Sequence, residues 1–428
     1  MVVGTIIGAS IFVQPSLVSA DVRSTTLTLL VWVVAGLLTL IGALATAELS
    51  SAFPQTGGVY VFLRRAYSPA VAYLWGWAMF WSVHSGIIAA IATIFARYLG
   101  HFVALDDLAT RAAAAGAVIV LSAVNYFSVR HGSAVQTFFT VVKLTAISLV
   151  VVLGIVFVAS HGVQVASRLP GATPTIGGFL SAVLIALNAY GGWHAVTYAA
   201  GETHDPARTI PRALIAGTLL VMIAYLAANA AYLAVLPLDR VASSTRVGAD
   251  FADVVLGRGG ADLLSALVIL STLGGMTGLI LAGPRVYLAM AEDGLLFRWA
   301  GAVHPRYRTP YVAIVLQGVW ASVLAFTGSY RGLITRVVYT EWIFWALMVA
   351  SIWFLRRRAD YAPAYRLRGS PVLPAIFVLS SAAVVLYQVG RDPLGSLTGL
   401  GLVLAGLPVY WFWTRRGGAR LSLSEPVS

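Results

Sequence analysis

Two ionisable side chains lie inside long apolar stretches of this sequence, where an unpaired charge is costly. Lys143, in FFTVVKLTAISLVVV, is the only lysine of the 428-residue chain, which otherwise uses arginine for its cations. Glu341 lies in VVYTEWIFWAL. Ionisable groups within membrane spans usually serve substrate or proton pathways. A buried lysine can release its proton, whereas arginine stays charged. Lys143 is therefore a candidate proton carrier, and the alternative is a structural lysine that ties two helices together.

The composition indicates that these stretches cross a membrane. The chain is 59% hydrophobic and 10% charged, with a mean hydropathy of +0.86, whereas soluble domains carry about 25% charged residues. A helical span needs about 20 apolar residues, and we count about twelve such stretches. The runs are too long and too uniform for the short alternating strands of a β-barrel. The sequence predicts an all-α polytopic membrane protein.

The distribution of arginine predicts the orientation of the chain. An even number of spans puts both termini on one side, together with Arg64, Arg65 and the arginines at 356–358. Cations collect on the cytoplasmic side, so both termini are predicted to lie in the cytoplasm, at the cell membrane. This topology accounts for the net charge of +12 without a nucleic-acid partner. The absence of cysteine excludes disulfides and thiolate chemistry.

Glycines interrupt the first and sixth spans. The first reads GTIIGASIFVQP, with Gly4 and Gly8, and the sixth reads NAYGGWHA, with Gly191 and Gly192. Glycine weakens a helix, and the freed backbone groups are tolerated in a membrane only where they line an enclosed cavity. Close packing of helices through small residues is the alternative. Because the breaks fall at matching places in two five-span halves, they favour a transporter with inverted repeats and a midplane site.

The sequence resembles amino-acid permeases of the amino acid–polyamine–organocation superfamily, nearest the L-type transporters. Six segments carry the resemblance: GTIIGASIF, AELSSAFPQTGGVYVFLRRAY, FTVVKL, AYGGW, DPARTIPRA and LAGPRVYLAMAEDG. It implies a five-plus-five inverted repeat with helices 1 and 6 broken, followed by two extra helices. The expected segments are 1–160 and 175–358 for the repeats, 371–414 for the extra helices and 415–428 for a cytoplasmic tail.

The resemblance also implies a substrate site. In the family, backbone N–H groups at the first break meet the amino acid's carboxylate, and carbonyls at the broken ends meet its ammonium, as helix dipoles favour. The matching positions are Ile6, Ile7, Gly8, Ala9, Ser10, Ile11, Asn188, Gly191, Gly192 and Trp193.

Two departures from the family pattern put its preference for large neutral side chains in doubt. The family commonly has Gly-Ser-Gly at the first break, where this chain has Gly8, Ala9 and Ser10. L-type members often carry a bulky aromatic residue where Asn188 stands. Asn188 is expected to bond a polar substrate, and a helix-end cap is the alternative.

Further residues are assigned by the same reasoning. In the family, a lysine at the place of Lys143 lies against the broken first helix, where sodium-coupled relatives bind sodium. Ser271 and Thr272 are candidates for its pocket, although such residues often bond their own helix backbone. The candidates for gating are Glu48, Glu202, Arg208 and Glu341. Glu48 and Glu202 lie at predicted inner helix ends, where ion pairs could close an inner gate; the candidate partners are Arg64, Arg65, Arg208 and Arg212. The alternative is that these are solvated charges at helix ends. Glu341 is expected at an interface, bonded to a neighbour such as Arg336, or facing an outer vestibule.

The sequence therefore predicts a secondary transporter that moves amino acids by alternating access, without sodium, by proton symport or by exchange. Its partners are a small amino acid or amine and the bilayer, with no cofactor and no metal. Transport of polyamines or other organic amines is the alternative, and a channel is a rival of another class, although it would favour rings of pore-lining polar groups. No catalytic set is assembled in the spans and no Walker motif appears, so an enzyme is not expected. The disulfide-linked heavy chain of animal L-type members needs a cysteine that this chain lacks.

The first span is unusually short before its break. Met1 lies only three residues before Gly4, which leaves almost no inner half for helix 1. The interpretation from sequence is that the native gene begins upstream, or that this form has lost part of its inner gate.

Overall fold

The structure is a computed structural model, and it describes residues 2–127, 132–163, 174–257, 259–328 and 330–415. Of the predicted tail at 415–428, residues 416–428 lie outside the described residues. Within the helices, the side chains at 132–137, 199, 202, 330–332 and 334–338 lie outside this description as well.

Helices make up nearly all of the described chain. The α-helices are α1 (Val2–Ile6), α2 (Gln14–Val22), α3 (Thr25–Ala52), α4 (Val59–Ala66), α5 (Pro69–Ala78), α6 (His84–Leu99), α7 (Asp107–Phe127), α8 (Gly132–His161), α9 (Ile176–Ala189), α10 (Pro206–Val235), α11 (Leu238–Ser243), α12 (Val247–Leu256), α13 (Gly260–Glu292), α14 (Tyr311–Thr327), α15 (Tyr330–Leu355), α16 (Val372–Arg391), α17 (Pro393–Leu404) and α18 (Gly406–Arg415). A π-helical turn, Met79–Val83, joins α5 to α6, and 3₁₀ helices cover Ala9–Phe12, Trp193–Glu202 and Arg298–Gly301.

Nine segments of the described residues are long and apolar enough to cross a membrane. The shorter apolar helices Tyr311–Thr327 and Tyr339–Leu355, together with the interrupted first segment at 2–22, bring the total to the predicted number. The protein is an all-α polytopic membrane protein, as the sequence predicts.

The first predicted break is present. The helix α1 ends at Ile6, and the chain leaves helical geometry at Ile7 and Gly8 before the 3₁₀ turn Ala9–Phe12. The next helix, α2, carries Pro15 in its first turn, where a missing N–H breaks no helical bond. The first span therefore consists of two short helices separated by a non-helical break at Ile7 and Gly8 and a 3₁₀ turn.

The second predicted break follows α9, which ends at Ala189. Gly192 there has a φ of +93°, a left-handed conformation that costs glycine little and other residues much. The chain continues as the 3₁₀ helix Trp193–Glu202 rather than as an α-helix. Both interruptions predicted from glycine pairs are confirmed.

Long helices enclose the first break. The helix α1 packs against α8, α10 and α13 and against the 3₁₀ helix that follows α9. The helices α6 and α15 pack on each other, and α15 also contacts α9. This arrangement brings the two breaks to the interior of the bundle, with α6, α13 and α15 beside them.

Candidate functional site

A cavity lies where the two helix breaks face each other. Its walls come from α1, the first break, α9 and the second break, and from α6, α13 and α15. The lining residues are Thr5, Ile6, Gly8, Ser10, Ile87, Ala90, Ile91, Ile94, Asn188, Ala189, Gly191, Gly192, Leu279 and Glu341. Ile6, Gly8, Ser10, Asn188, Gly191 and Gly192, all predicted from the family resemblance, are among them.

The remaining predicted positions, Ile7, Ala9, Ile11 and Trp193, are not among the residues that line this cavity. The Ile7 N–H donates to the carbonyl of Val3 at 2.8 Å. The indole of Trp193 is 1% exposed and packs against Trp345 with ring centroids 5.1 Å apart. Trp193 therefore supports the second break from within the core.

The two breaks touch each other directly. A Cβ atom on Gly192 would lie 2.6 Å from the Thr5 carbonyl oxygen, closer than any side chain tolerates. The hydroxyl of Tyr225, on α10, lies 3.1 Å from the Ile6 carbonyl and 3.2 Å from the Ala189 carbonyl. A single phenol thus bridges the carbonyl ends of α1 and α9 and sets their separation.

Asn188 is positioned by a partner that the sequence reasoning missed. The amide nitrogen of Gln14 donates to the Asn188 side-chain oxygen at 2.8 Å, and Gln14 is fully buried. The bond joins the first turn of α2 to the last turn of α9. Asn188 lines the cavity, whereas Gln14 is not among its lining residues. The available signal was a lone amide in an apolar segment just before Pro15, which did not indicate its partner.

Lys143 is tied to the first helix, as the family resemblance implies. Its ammonium donates to the Gly4 carbonyl at 2.9 Å, and the side chain is 2% exposed. A Cβ on Gly275, in α13, would lie 3.7 Å from the same nitrogen. Lys143 is not among the residues lining the cavity, so it supports α1 from behind.

Ser271 and Thr272 are both buried in α13. The hydroxyl of Thr272 donates to the Ile269 carbonyl at 2.7 Å. Thr272 therefore bonds the backbone of its own helix, which was the alternative to a place in the lysine pocket. Within the described residues, the Ser271 hydroxyl has no hydrogen-bond partner. Gly275, one helical turn after Ser271, lies beside the Lys143 ammonium.

Glu341 lies in the cavity wall. Its side chain is 2% exposed, and its Oε1 has no hydrogen-bond partner in the described part of the chain. The expectation of an interfacial carboxylate is therefore replaced by a carboxylate at the cavity. The side chain of Arg336, the expected neighbour, lies outside the described residues.

Glu48 forms an ion pair with a different arginine from those expected. It accepts from Arg356 Nε at 2.9 Å and Nη2 at 2.6 Å, rather than from Arg64 or Arg65. Arg64 pairs with Asp293 at 2.5 Å instead. The arginine nearest in sequence is not the nearest in space, because Arg356 begins the segment after α15 that folds back onto the end of α3.

The Glu48 pair belongs to a larger set that we call the Glu48 clasp, consisting of Glu48, Ser51, Arg356, Tyr361, Tyr365 and Leu367. The Leu367 N–H donates to Glu48 at 2.7 Å and the Tyr361 hydroxyl at 3.2 Å. Ser51 accepts from the Tyr365 N–H at 3.0 Å. The hydrogen bond to Glu48 raises the pKa of Arg356, and burial raises the pKa of Tyr361. Both groups therefore stay protonated and act as donors.

The other two gating candidates are Arg208 and Glu202. Arg208 is exposed in the first turn of α10, and the side chain of Glu202 lies outside the described residues. In the described ranges, no cluster of three His, Asp or Glu side chains is arranged to hold a metal ion.

A helical membrane protein whose two broken helices line an internal cavity has the architecture of a secondary carrier. The family model described as amino acid permease matches residues 1–399, and the chain belongs to that family. The resemblance noted from the sequence is confirmed.

Curated relatives match along nearly the whole chain. The b(0,+)-type amino acid transporter 1 of Homo sapiens is 28% identical, over 100% of this chain and 89% of the relative. The serine/threonine exchanger SteT of Bacillus subtilis is 29% identical, over 97% and 95%. The large neutral amino acids transporter small subunit 2 of Oryctolagus cuniculus is 30% identical, over 97% and 79%. These relatives are transporters by name, and none is named as an enzyme.

Proposed function

We propose that this protein carries amino acids across the cell membrane by alternating access, with the cavity at the two breaks as its substrate site. The observation that carries the proposal is the meeting of both breaks at one cavity, where Gly192 lies directly against the Thr5 carbonyl. The names of the relatives support amino acids as the substrate class.

The chemistry of the two breaks suits a zwitterion. The start of a helical turn presents N–H groups that attract a carboxylate, here at Gly8 to Ser10. The carbonyl ends of α1 and α9 attract an ammonium. The Ile6 and Ala189 carbonyls already accept from Tyr225, but each carbonyl oxygen has a second lone pair for a ligand. An amino acid would thus satisfy both breaks at once.

Transport is proposed to be independent of sodium. The Lys143 ammonium donates to the Gly4 carbonyl at 2.9 Å, and a carbonyl of this kind would otherwise be available to a bound cation. A fixed ammonium holds α1 in place in the same way as such a cation, without needing an ion from solution. Unlike an arginine, Lys143 can also release its proton during the transport cycle.

We also propose the topology predicted from sequence. The breaks fall at α1 and α9, where each five-span repeat would begin, so α1–α8 and α9–α15 would form the repeats at residues 1–160 and 175–358. The helices α16–α18, at 371–414, would follow as the two extra spans. Both termini would face the cytoplasm, because the arginines after α15 then lie on the cytoplasmic side.

Counterflow in liposomes tests the carrier proposal. Purified protein is reconstituted, and uptake of a radiolabelled amino acid mixture is measured with and without unlabelled amino acids inside, in potassium buffer. A carrier gives faster labelled uptake when the liposomes are loaded, and replacing potassium with sodium changes nothing. Uptake that is equal in loaded and empty liposomes, as through a channel, would contradict the proposal.

A pH gradient then separates the two modes of coupling. Accumulation in empty liposomes under an acidic outside assigns proton symport, whereas uptake that requires internal substrate assigns exchange. We expect Lys143 to carry the proton. Lys143→Arg keeps the charge but cannot release a proton, so this variant should still exchange but should fail to accumulate. Accumulation equal to that of the parent would exclude the proton-carrying role.

A further inference from the structure

The carboxylate of Glu341 is not explained by a site made of backbone groups. We infer that the cavity selects amino acids whose side chain carries a positive charge, such as lysine, ornithine or arginine, and that Glu341 binds this second cation. The inference rests on the proposed function and names the substrate class of the same site.

The first argument concerns charge. Glu341 is 2% exposed, and its Oε1 lacks a hydrogen-bond partner among the described residues. A carboxylate removed from water without a partner is strongly destabilised. Among the described residues that line the cavity there is no arginine and no lysine. Lys143 is bonded to Gly4 instead. A cationic ligand would supply the missing partner.

The second argument concerns where the carboxylate lies. The backbone groups that would hold an α-carboxylate and an α-ammonium belong to the two breaks. Glu341 comes from α15, which packs against α6 and α9. An amino acid anchored at both breaks would direct its side chain toward the remaining walls, where Glu341 stands.

The third argument concerns the cavity walls between the two helix breaks and Glu341. The residues that α6 and α13 contribute to the cavity are all aliphatic: Ile87, Ala90, Ile91, Ile94 and Leu279. Such walls suit a methylene chain, and an acidic group beside them suits an ammonium or guanidinium at the end of that chain. Lysine and its relatives combine both features.

Binding of two matched ligands tests the inference. L-Lysine and L-norleucine share a four-carbon side chain, and only lysine carries the terminal ammonium. Equilibrium binding of both is measured for the purified parent, for Glu341→Gln and for Glu292→Gln. Glu292 is exposed at the end of α13, so its variant controls for the loss of a carboxylate elsewhere.

We expect the parent to bind lysine more tightly than norleucine. Loss of a charged hydrogen bond should weaken lysine binding by about tenfold to a hundredfold in Glu341→Gln. Norleucine binding should change by less than about threefold in that variant, since norleucine makes no such bond. Glu292→Gln should match the parent for both ligands.

Each other outcome overturns the inference in a distinct way. Equal weakening of both ligands would assign Glu341 to the α-ammonium. Unchanged lysine binding with lost accumulation along a pH gradient would make Glu341 a proton carrier. A parent that binds norleucine but not lysine would exclude a cationic preference and leave the proposed function standing. A parent that binds no amino acid would overturn both.

A second variant keeps the test decisive if Glu341→Gln does not fold. Glu341→Asp retains the charge, so its preference for lysine over norleucine should persist. A parent or Glu341→Asp protein that prefers norleucine would overturn the inference.

Discussion

Two buried glutamates in this protein have opposite surroundings. Glu48 is completely buried and accepts bonds from Arg356, Tyr361 and the Leu367 N–H. Glu341 is nearly as buried, but its Oε1 has no partner among the described residues and its side chain lines a cavity. Burial alone therefore does not identify a functional carboxylate. Its hydrogen bonds do, because a satisfied carboxylate joins helices and an unsatisfied one is available to a ligand.

The largest expected effect is a loss of stability when Glu48, the glutamate with hydrogen-bond partners, is replaced. Glu48→Gln leaves Arg356 without its counter-charge. Because the Arg356 side chain is 20% exposed, the cost should be about 2 kcal/mol, below the roughly 3 kcal/mol of a fully buried pair. Glu341→Gln removes no hydrogen bond to any described residue, so it should leave stability unchanged or slightly raise it. Apparent melting temperatures, followed by tryptophan fluorescence at one scan rate, should fall clearly for Glu48→Gln only.

A double variant checks the cause of that loss. Replacing both members of a buried pair is far less costly than replacing one, so Glu48→Gln combined with Arg356→Met should recover part of the melting temperature. If Glu341→Gln is destabilised as much as Glu48→Gln, the distinction between the two carboxylates is wrong.

The next effect concerns the contact between the breaks. Gly192→Ala adds a Cβ 2.6 Å from the Thr5 carbonyl at a φ of +93°, a strain of about 1–3 kcal/mol. Because the strain moves the groups that hold the ligand, amino-acid binding should weaken by about tenfold. The control is Gly116→Ala in α7, where the added Cβ meets no atom within 4 Å and helix propensity improves. Unchanged binding in Gly192→Ala would show that the breaks do not meet as described.

The smallest effect compares two tyrosines of α10. The Tyr225 hydroxyl bridges the Ile6 and Ala189 carbonyls, whereas the equally buried Tyr232 hydroxyl has no partner within the described ranges. The free energy of unfolding of Tyr225→Phe should fall by about 1 kcal/mol. This variant should also bind amino acids about fivefold more weakly. Tyr232→Phe should bind like the parent. Equal effects in the two variants would show that the Tyr225 hydroxyl does not position the ligand-binding carbonyls.

The sequence predicted the helix breaks because glycine acts locally. Gly8, Gly191 and Gly192 weaken helices wherever the rest of the chain lies, so both interruptions could be found without the fold. The contact between Lys143 and the first helix was predicted from the family resemblance, because the residues around Lys143 do not indicate Gly4 as its partner.

Long-range contacts could not be predicted in the same way. Glu48 and Arg356 are 308 residues apart, and Gln14 and Asn188 are 174 apart. No periodicity connects such pairs, so nearer arginines were assigned to Glu48. The direction of Glu341 was equally hidden, because the aromatic residues that follow it, Trp342, Phe344 and Trp345, do not mark which side of α15 faces the cavity. Trp193 was predicted to contact the ligand from the family resemblance, but its indole packs in the core.

The most direct test of the central claim asks whether an amino acid occupies the cavity. The chain has no cysteine, so Ala90→Cys places a single thiol in the α6 wall of the cavity. Ser243→Cys, exposed on α11, places one on the surface as a control. The rate of modification by a charged thiol reagent is measured in detergent, with and without a saturating amino acid. The account predicts that the amino acid slows modification of Ala90→Cys severalfold and leaves Ser243→Cys unchanged. Equal rates for Ala90→Cys with and without an amino acid that the protein demonstrably transports would contradict it.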